Sequence, residues 1–131
     1  MAIGYPDFFT GIQPAISIAR SGQTRFQWLE STNVSASSIS TGTVYTVPTG
    51  KRLYFTGYSV SCDKSLLQEI RFLADTYTFY AKKYDVEKSE TLPPGTGYWL
   101  EAGVALKRAF YNWDSAQRSF LLAIYGVVVD V

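Results

Sequence analysis

The stretch "YTVPTGKRLYFTGYSVSC", residues 45–62, sets Pro-Thr-Gly-Lys between two runs rich in Tyr and Val. A Gly-Lys pair after a strand-like run is either a phosphate-cradling loop or a tight turn. A P-loop reads G-x-x-x-x-G-K-[ST], because its first Gly makes the turn and its Ser or Thr holds magnesium. Here Tyr45 stands where that first Gly belongs, and Arg52 follows Lys51. No helical pattern follows that would offer N–H groups to a phosphate. Pro48 instead pre-sets φ at the first turn position, Thr49 fills the second, and Gly50 accepts positive φ. The sequence therefore predicts a bulged hairpin joining two strands, with Lys51 a solvated residue at the loop tip.

Outward from this turn the chain continues in strand-like pieces. "AISIAR" (15–20) and "TRFQWLE" (24–30) each alternate well enough to be strands, with "SGQ" (21–23) turning between them. "STNVSASSISTG" (31–42) is Ser/Thr-rich and suits a surface loop or an irregular edge strand. In "LLQEIRFLA" (66–74) the apolar residues fall at helical spacing, yet "DTYTFYAKKY" directly follows with strand character. A β-hairpin turning near Asp75 is expected there, with one short helix as the alternative. "DVEKSETLPPGTG" (85–97) reads as a polar loop closed by Pro93–Pro94–Gly95.

"YWLEAGVALKRAF" (98–110) has period two, with Tyr98, Leu100, Ala102, Val104 and Leu106 on its apolar face. "NWDSAQ" (112–117) turns the chain into "SFLLAIYGVVVDV" (119–131), apolar on both faces. Such a strand is central in a sandwich or covered by another subunit. Its Gly126 marks a bulge or a close backbone approach. The expected fold is all-β: an antiparallel β-sandwich of jelly-roll type with about eight strands. Residues 15–131 form its single domain. Residues 1–14, with Tyr5, Pro6, Phe8, Phe9 and Pro14, form an extended N-terminal arm. That arm packs on its own domain or docks on a neighbouring subunit.

Composition narrows the function. The 131 residues suit one domain, and 47% hydrophobic with 18% charged residues excludes disorder. A net charge of +1 argues against a nucleic-acid partner, and Lys51–Arg52, Lys82–Lys83 and Lys107–Arg108 are scattered among acids. Cys62, the single cysteine, permits no internal disulfide and reads as a small buried hydrophobe. The N-terminus lacks signal-peptide character and no run approaches a membrane span, so a soluble protein of a reducing compartment is expected.

The absence of histidine removes Ser-His-Asp and Cys-His catalysis and the usual metal cages. Glu69, Glu90, Glu101 and Asp114 are the candidates for a glycosidase carboxylate pair, but read better as solvated surface. Asp85, Glu87 and Glu90 match no calcium-loop spacing. Neither a catalytic nor a metal site is expected, and no cofactor. Of the tryptophans Trp28, Trp99 and Trp113, Trp99 and Trp113 join Tyr111 as candidates for stacking on a sugar ring. Their alternatives are an oligomer contact for Trp99 and an end cap for Trp113.

Across residues 43–131 the chain resembles small β-sandwich, jelly-roll-like virion structural proteins of phages and related viruses. The residues that carry it are "TVYTVPTGKRLYFTGYSVS", "YWLEAGVALKR" with its Ala-Gly break, and "FLLAIYGVVVDV" with its closing Gly-containing strand. "GYPDFFTG" is compatible with the arm such proteins carry. The resemblance implies a homo-oligomer, expected as a trimer, that sits on a particle made in the host cytoplasm. Capsid decoration, a spike or turret, or a tail or fibre component are the implied locations, with other virion proteins as partners. Tyr5, Phe8, Phe9, Val127 and Val129 are the candidate subunit or particle contacts, and a host-surface glycan is the alternative partner.

Overall fold

The computed structural model describes residues 22–64, 67–85, 87–91 and 98–131, with backbone alone for residue 67 and residues 87–91. Nine strands follow one another: β1 (Gln23–Val34), β2 (Ser38–Thr46), β3 (Lys51–Cys62), β4 (Leu67–Ala74), β5 (Tyr77–Asp85), β6 (Glu87–Thr91), β7 (Tyr98–Leu100), β8 (Ala105–Asn112) and β9 (Arg118–Asp130). One sheet has the order β1-β9-β3-β6, with β7 also on β3; the other has the order β2-β8-β4-β5. β6 pairs with residues 57–61 of β3 and β7 with residues 53–55, so the two share one lane. Each sheet is thus four lanes wide, and every pairing is antiparallel.

The pairs β4·β5, β3·β6 with β3·β7, β2·β8 and β1·β9 are those of one long hairpin doubled at Asp75. Rolling that hairpin adds β3·β9 and β4·β8. This is the jelly-roll arrangement expected from the sequence. Asp75 turns the hairpin with φ 55, an αL conformation that Asp tolerates. Its carboxylate accepts a bond from the Ala105 N–H at 3.0 Å, while its own N–H donates to the Ala105 carbonyl at 2.8 Å. The helix alternative for 66–74 gives way to β4, whose Ile70 and Phe72 are fully buried.

The Pro48–Lys51 segment is a turn, but not a hairpin. The Lys51 N–H donates to the Pro48 carbonyl at 3.1 Å, and Gly50 has φ 77, so Pro48 opens the turn rather than occupying its first central position. The strands it joins lie in opposite sheets, which makes it an arch over the end of the sandwich. Lys51 is not free at a tip: its ammonium pairs with Asp130, beside it in register. A second arch breaks the run expected as one strand over 98–110. The Val104 N–H donates to the Glu101 carbonyl at 3.1 Å, Gly103 takes φ 87, and β7 and β8 part into different sheets. The two arches bind each other, Val47 N–H to the Val104 carbonyl and Gly103 N–H to the Val47 carbonyl.

Of two polar segments, 31–42 takes the edge-strand alternative, and 85–97, expected as a loop, contains a strand. Within 31–42 the turn occupies only residues 35–37, and β1 and β2 are edge strands of their sheets. Within 85–97, β6 pairs with β3 despite its polar sequence, because a sheet edge needs only backbone groups. The arm (1–14), the strand at 15–20 and Pro93–Pro94–Gly95 lie outside the described residues.

The core is aromatic. Phe110 and Phe120 stack across the sheets at 5.1 Å, and Phe55 meets Phe72 at 4.8 Å. In β3 the inward residues are Leu53 and Phe55, then Tyr58, Val60 and Cys62. The phase changes because the register slips between Phe55 and Gly57, a bulge that lets both halves of the strand face the core. Gly126 lies opposite, where a Cβ would stand 2.5 Å from the Tyr54 carbonyl oxygen. Of the two alternatives expected at Gly126, the close approach is the one present there, and the bulge lies in its partner β3. Gly126→Ala is expected to destabilise the fold by about 1–3 kcal/mol, the range for inserting atoms into a packed interior. The urea midpoint should fall with an unchanged slope.

Candidate functional site

β9 runs through the middle of its sheet between β1 and β3, and its two faces have different fates. Phe120, Leu122, Ile124 and Val128 enter the core. Leu121, Ala123, Tyr125, Val127 and Val129 face outward, Leu121 being 57% and Tyr125 42% exposed. Beside them β1 presents Leu29, 69% exposed, opposite Ala123, and β3 presents Tyr54 opposite Val127. The strand is thus central, as one of the two expected readings had it, yet half of its apolar residues remain on a surface.

Val127 and Val129, the candidate contacts on this strand, are half-buried members of that outer face. Leu29, Tyr54, Leu121 and Tyr125 were not singled out in the sequence, although their alternation with core residues was readable. Tyr5, Phe8 and Phe9 lie outside the described residues. Among the described residues the charges on this face are Arg25 on β1 and, at the end near Val129, Arg52 with its ion-pair partner Glu101.

The three candidate sugar-stacking residues do not form one site. Trp99 is on β7, half exposed, with its ring 6.4 Å from Tyr54 and the Arg52 guanidinium 5.8 Å from its centroid. Its indole N–H donates to Glu101 at 3.0 Å. It borders a groove with Tyr77, Phe79 and Tyr98, across the edge between β7 and the tip of the β4–β5 hairpin. Tyr111 is on β8 of the other sheet, near the end far from Trp99, and Trp113 follows that strand's last residue, their rings 5.7 Å apart. The Arg71 guanidinium lies 4.4 Å over the Tyr111 ring, occupying one aromatic face.

The expected carboxylates are held in ion pairs. Glu101 meets Arg52 at 3.2 Å and Asp114 meets Arg118 at 2.5 Å. The hydrogen bond from Arg118 lowers the Asp114 pKa below the usual carboxylate range. Glu69 departs from its expected wet position: it is 3% exposed, covered on the outer face of β4 and bound by Arg71 at 2.5 Å. Its register neighbours are Tyr111 and Lys83, and Arg71 stacks on the Tyr111 ring. The side chains of Glu87 and Glu90 lie outside the described residues, and Asp85 ends β5. Among the described residues no three His, Cys, Asp or Glu side chains gather as a metal site, and no helix is long and apolar enough to cross a membrane.

Two buried polar groups went unread in the sequence. Glu30, on the inward face of β1, receives Arg108 of β8 at 2.5 Å, which ties the two sheets across their open edge. Arg108 also donates to the Ser40 carbonyl at 2.9 Å, and a Cβ at Gly42 would stand 3.0 Å from the guanidinium. The second group closes the far end. Asn112 donates to the carbonyls of Val34, Ser35 and Ala116, and accepts from Gln68 at 2.9 Å. Gln68 in turn accepts from the Trp113 N–H at 2.7 Å. Cys62 is buried beside this network, with Gln68 Nε2 3.8 Å from its sulfur, in keeping with a packed small side chain.

Burial alone would push the Glu30 pKa up. Hydrogen bonds from Arg108, Thr32 and Trp28, with the charge of Arg108, outweigh it and hold the carboxyl at about 2 against an ordinary value of 4.5. A depressed carboxylate stabilises the fold fully above the unfolded value, and that stabilisation is lost as pH falls through the folded one. The wild-type urea midpoint should therefore drop as pH falls from about 4.5 toward about 2, while Glu30→Gln shows a flatter profile there. Arg108→Met leaves the partly buried carboxylate without its cation and should cost about 1–3 kcal/mol at neutral pH. An Arg108→Met, Glu30→Leu pair should recover most of that loss.

No family model and no curated protein matches the chain. Solved structures similar to it include the capsid asymmetric unit of cyanophage Pam1, at 12% identity and TM-score 0.42, covering 96% of each chain. Another is a Bacillus endospore appendage, from a family of disulfide-linked pili, at 10% identity and TM-score 0.39, covering 93% of this chain and 99% of that one. A third is a virus-like particle of the Macrobrachium rosenbergii extra small virus, at 11% identity and TM-score 0.36, covering 96% and 93%. At these scores the likeness carries no argument about what this chain does.

Proposed function

We propose that the chain is a non-enzymatic structural protein of a virus particle, a homo-oligomeric jelly-roll module serving as capsid decoration, spike or turret, or tail or fibre component. Its partners are further copies of itself and other virion proteins, and its place is the virion, reached from the host cytoplasm. The observation that carries the self-assembly part is the outer face of β9. Leu29, Leu121 and Tyr125 stand exposed on one sheet face with few charges, and a large apolar face of that kind marks a contact surface. The virion part is supported by the resemblance of residues 43–131 to small virion β-sandwiches. The non-enzymatic part is supported by Glu69, Glu101 and Asp114, each engaged by an arginine rather than facing a second carboxyl across a groove.

Light scattering on the purified protein should give a multiple of 14.6 kDa at micromolar concentration. The same measurement reads the copy number, expected from the sequence as three. A monomer across that range would contradict the self-assembly reading.

The second reading is attachment to a host-surface glycan, and for it we propose the groove beside Trp99. The Trp99 groove offers several aromatic rings beside the Arg52–Glu101 pair, whereas Arg71 already covers one face of Tyr111. Sugars bound there should quench tryptophan fluorescence in the wild type and not in Trp99→Ala. Quenching that survives the substitution would exclude this groove as the binding place.

A further inference from the structure

The outer face of the β1-β9-β3 sheet can be read row by row from its register. Leu29, Ala123 and Ser59 form one row; Gln27, Tyr125 and Gly57 form the next. Beyond the first lie Ser31, Leu121 and Ser61, and beyond the second lie Arg25, Val127 and Tyr54. The relief is uneven. Ala123, Ser59 and Ser61 floor a trough walled by Leu29 and Leu121. Immediately beside it Tyr125 stands up next to Gly57. A knob and a hollow side by side on one surface form the relief that a two-fold contact uses, since the same patch must meet itself.

We propose that two copies pack face to face through this sheet, Tyr125 of each seated over Ala123 of the other. The two-fold axis lies between the faces and crosses the strands at the level of Ile124. The proposal rests on the self-assembly reading above and names its surface and symmetry. With this axis β9 runs antiparallel to β9 of the second copy, and on the β1 side Leu29 faces Gln27 and Ser31 faces Arg25. Ser59 faces Gly57, Leu121 faces Val127, and the large Tyr54 faces the small Ser61. The other in-plane axis, along the strands, would set Tyr125 on Tyr125 and Ala123 on Ala123, a clash beside a void.

The size of the face fits a stable pair. Strands of 12 residues in β1 and β3 and 13 in β9 give a length of about 40 Å, and three lanes give a width of about 14 Å. The resulting area of roughly 560 Å² on each copy, about 1,100 Å² in all, clears the roughly 1,000 Å² that a specific interface needs. A contact of this kind gives an even copy number, two rather than the three expected from the sequence.

The test uses complementary charges. Ala123→Lys and Tyr125→Asp are surface substitutions, and thermal unfolding should show both variants folded. Each alone should weaken self-association by at least about 30-fold, the lower bound for losing a central hot spot, as read by analytical ultracentrifugation. Mixed together the two variants should form a heterodimer. The introduced lysine of one copy then meets the introduced aspartate of the other, while the second, native Tyr125–Ala123 contact is kept. Variants that associate like the wild type would overturn the choice of face and leave self-assembly standing. So would folded variants that separate singly but stay apart when mixed, or a chain lacking residues 1–21 that gains association through this face, which would assign it to that segment. A monomeric wild type would overturn both.

Discussion

The sandwich depends on one close approach, the backbone of Gly126 against the carbonyl of Tyr54. β3 is the strand that β6, β7 and β9 all pair with, so its register sets the sheet. Without the bulge between Phe55 and Gly57, Tyr58, Val60 and Cys62 would turn outward while Leu53 and Phe55 stayed inside. The bulge requires β9 to come near at this level, and only a residue without Cβ can do so. A single glycine in the last strand therefore aligns five core residues of another strand. It also allows Val127 and Tyr125 to continue one outer face on either side of the irregularity.

Around this centre the two sheets are tied at their margins by polar groups. The Glu30–Arg108 pair joins the edge strands' side of the sandwich, and the Asn112–Gln68 network gathers the 35–37 turn, β4 and the β8–β9 connection. Each group is enclosed and has partners, which is the condition for burying polarity without a large penalty. The docked arches at Val47 and Gly103 close the remaining end. Hydrophobic stacking fills the interior, while these ties fix how the two sheets register on each other.

The fold was legible because period-two patterns and turn residues act locally. The strands at 24–30 and 51–62, the hairpin at Asp75 and the closing strand could all be read that way. What failed was non-local. Whether Pro48–Gly50 joins neighbours in one sheet or arches between two depends on where the chain returns, and a four-residue pattern does not hold that information. The strand β6 was hidden because its side chains carry no apolar alternation; its pairing is supplied by β3. Glu69 was read as surface because a charged residue usually is, and the burial of Arg108 went unread. Tyr111 neighbours the first in register, and Glu30 meets the second, from distant parts of the chain. The two-faced apolar character of β9 was visible in the sequence, but its exposed half needed the register with β1 and β3 to become a surface.

That exposed half is the surface on which the proposed self-assembly rests. Hydroxyl-radical footprinting across a dilution series tests this most directly, because it reports side chains one by one in the unmodified protein. Leu29, Leu121 and Tyr125 should be protected at high concentration and become reactive on dilution, while exposed Trp113, just after β8 of the other sheet, stays constant. Uniform reactivity of the three at every concentration would contradict it.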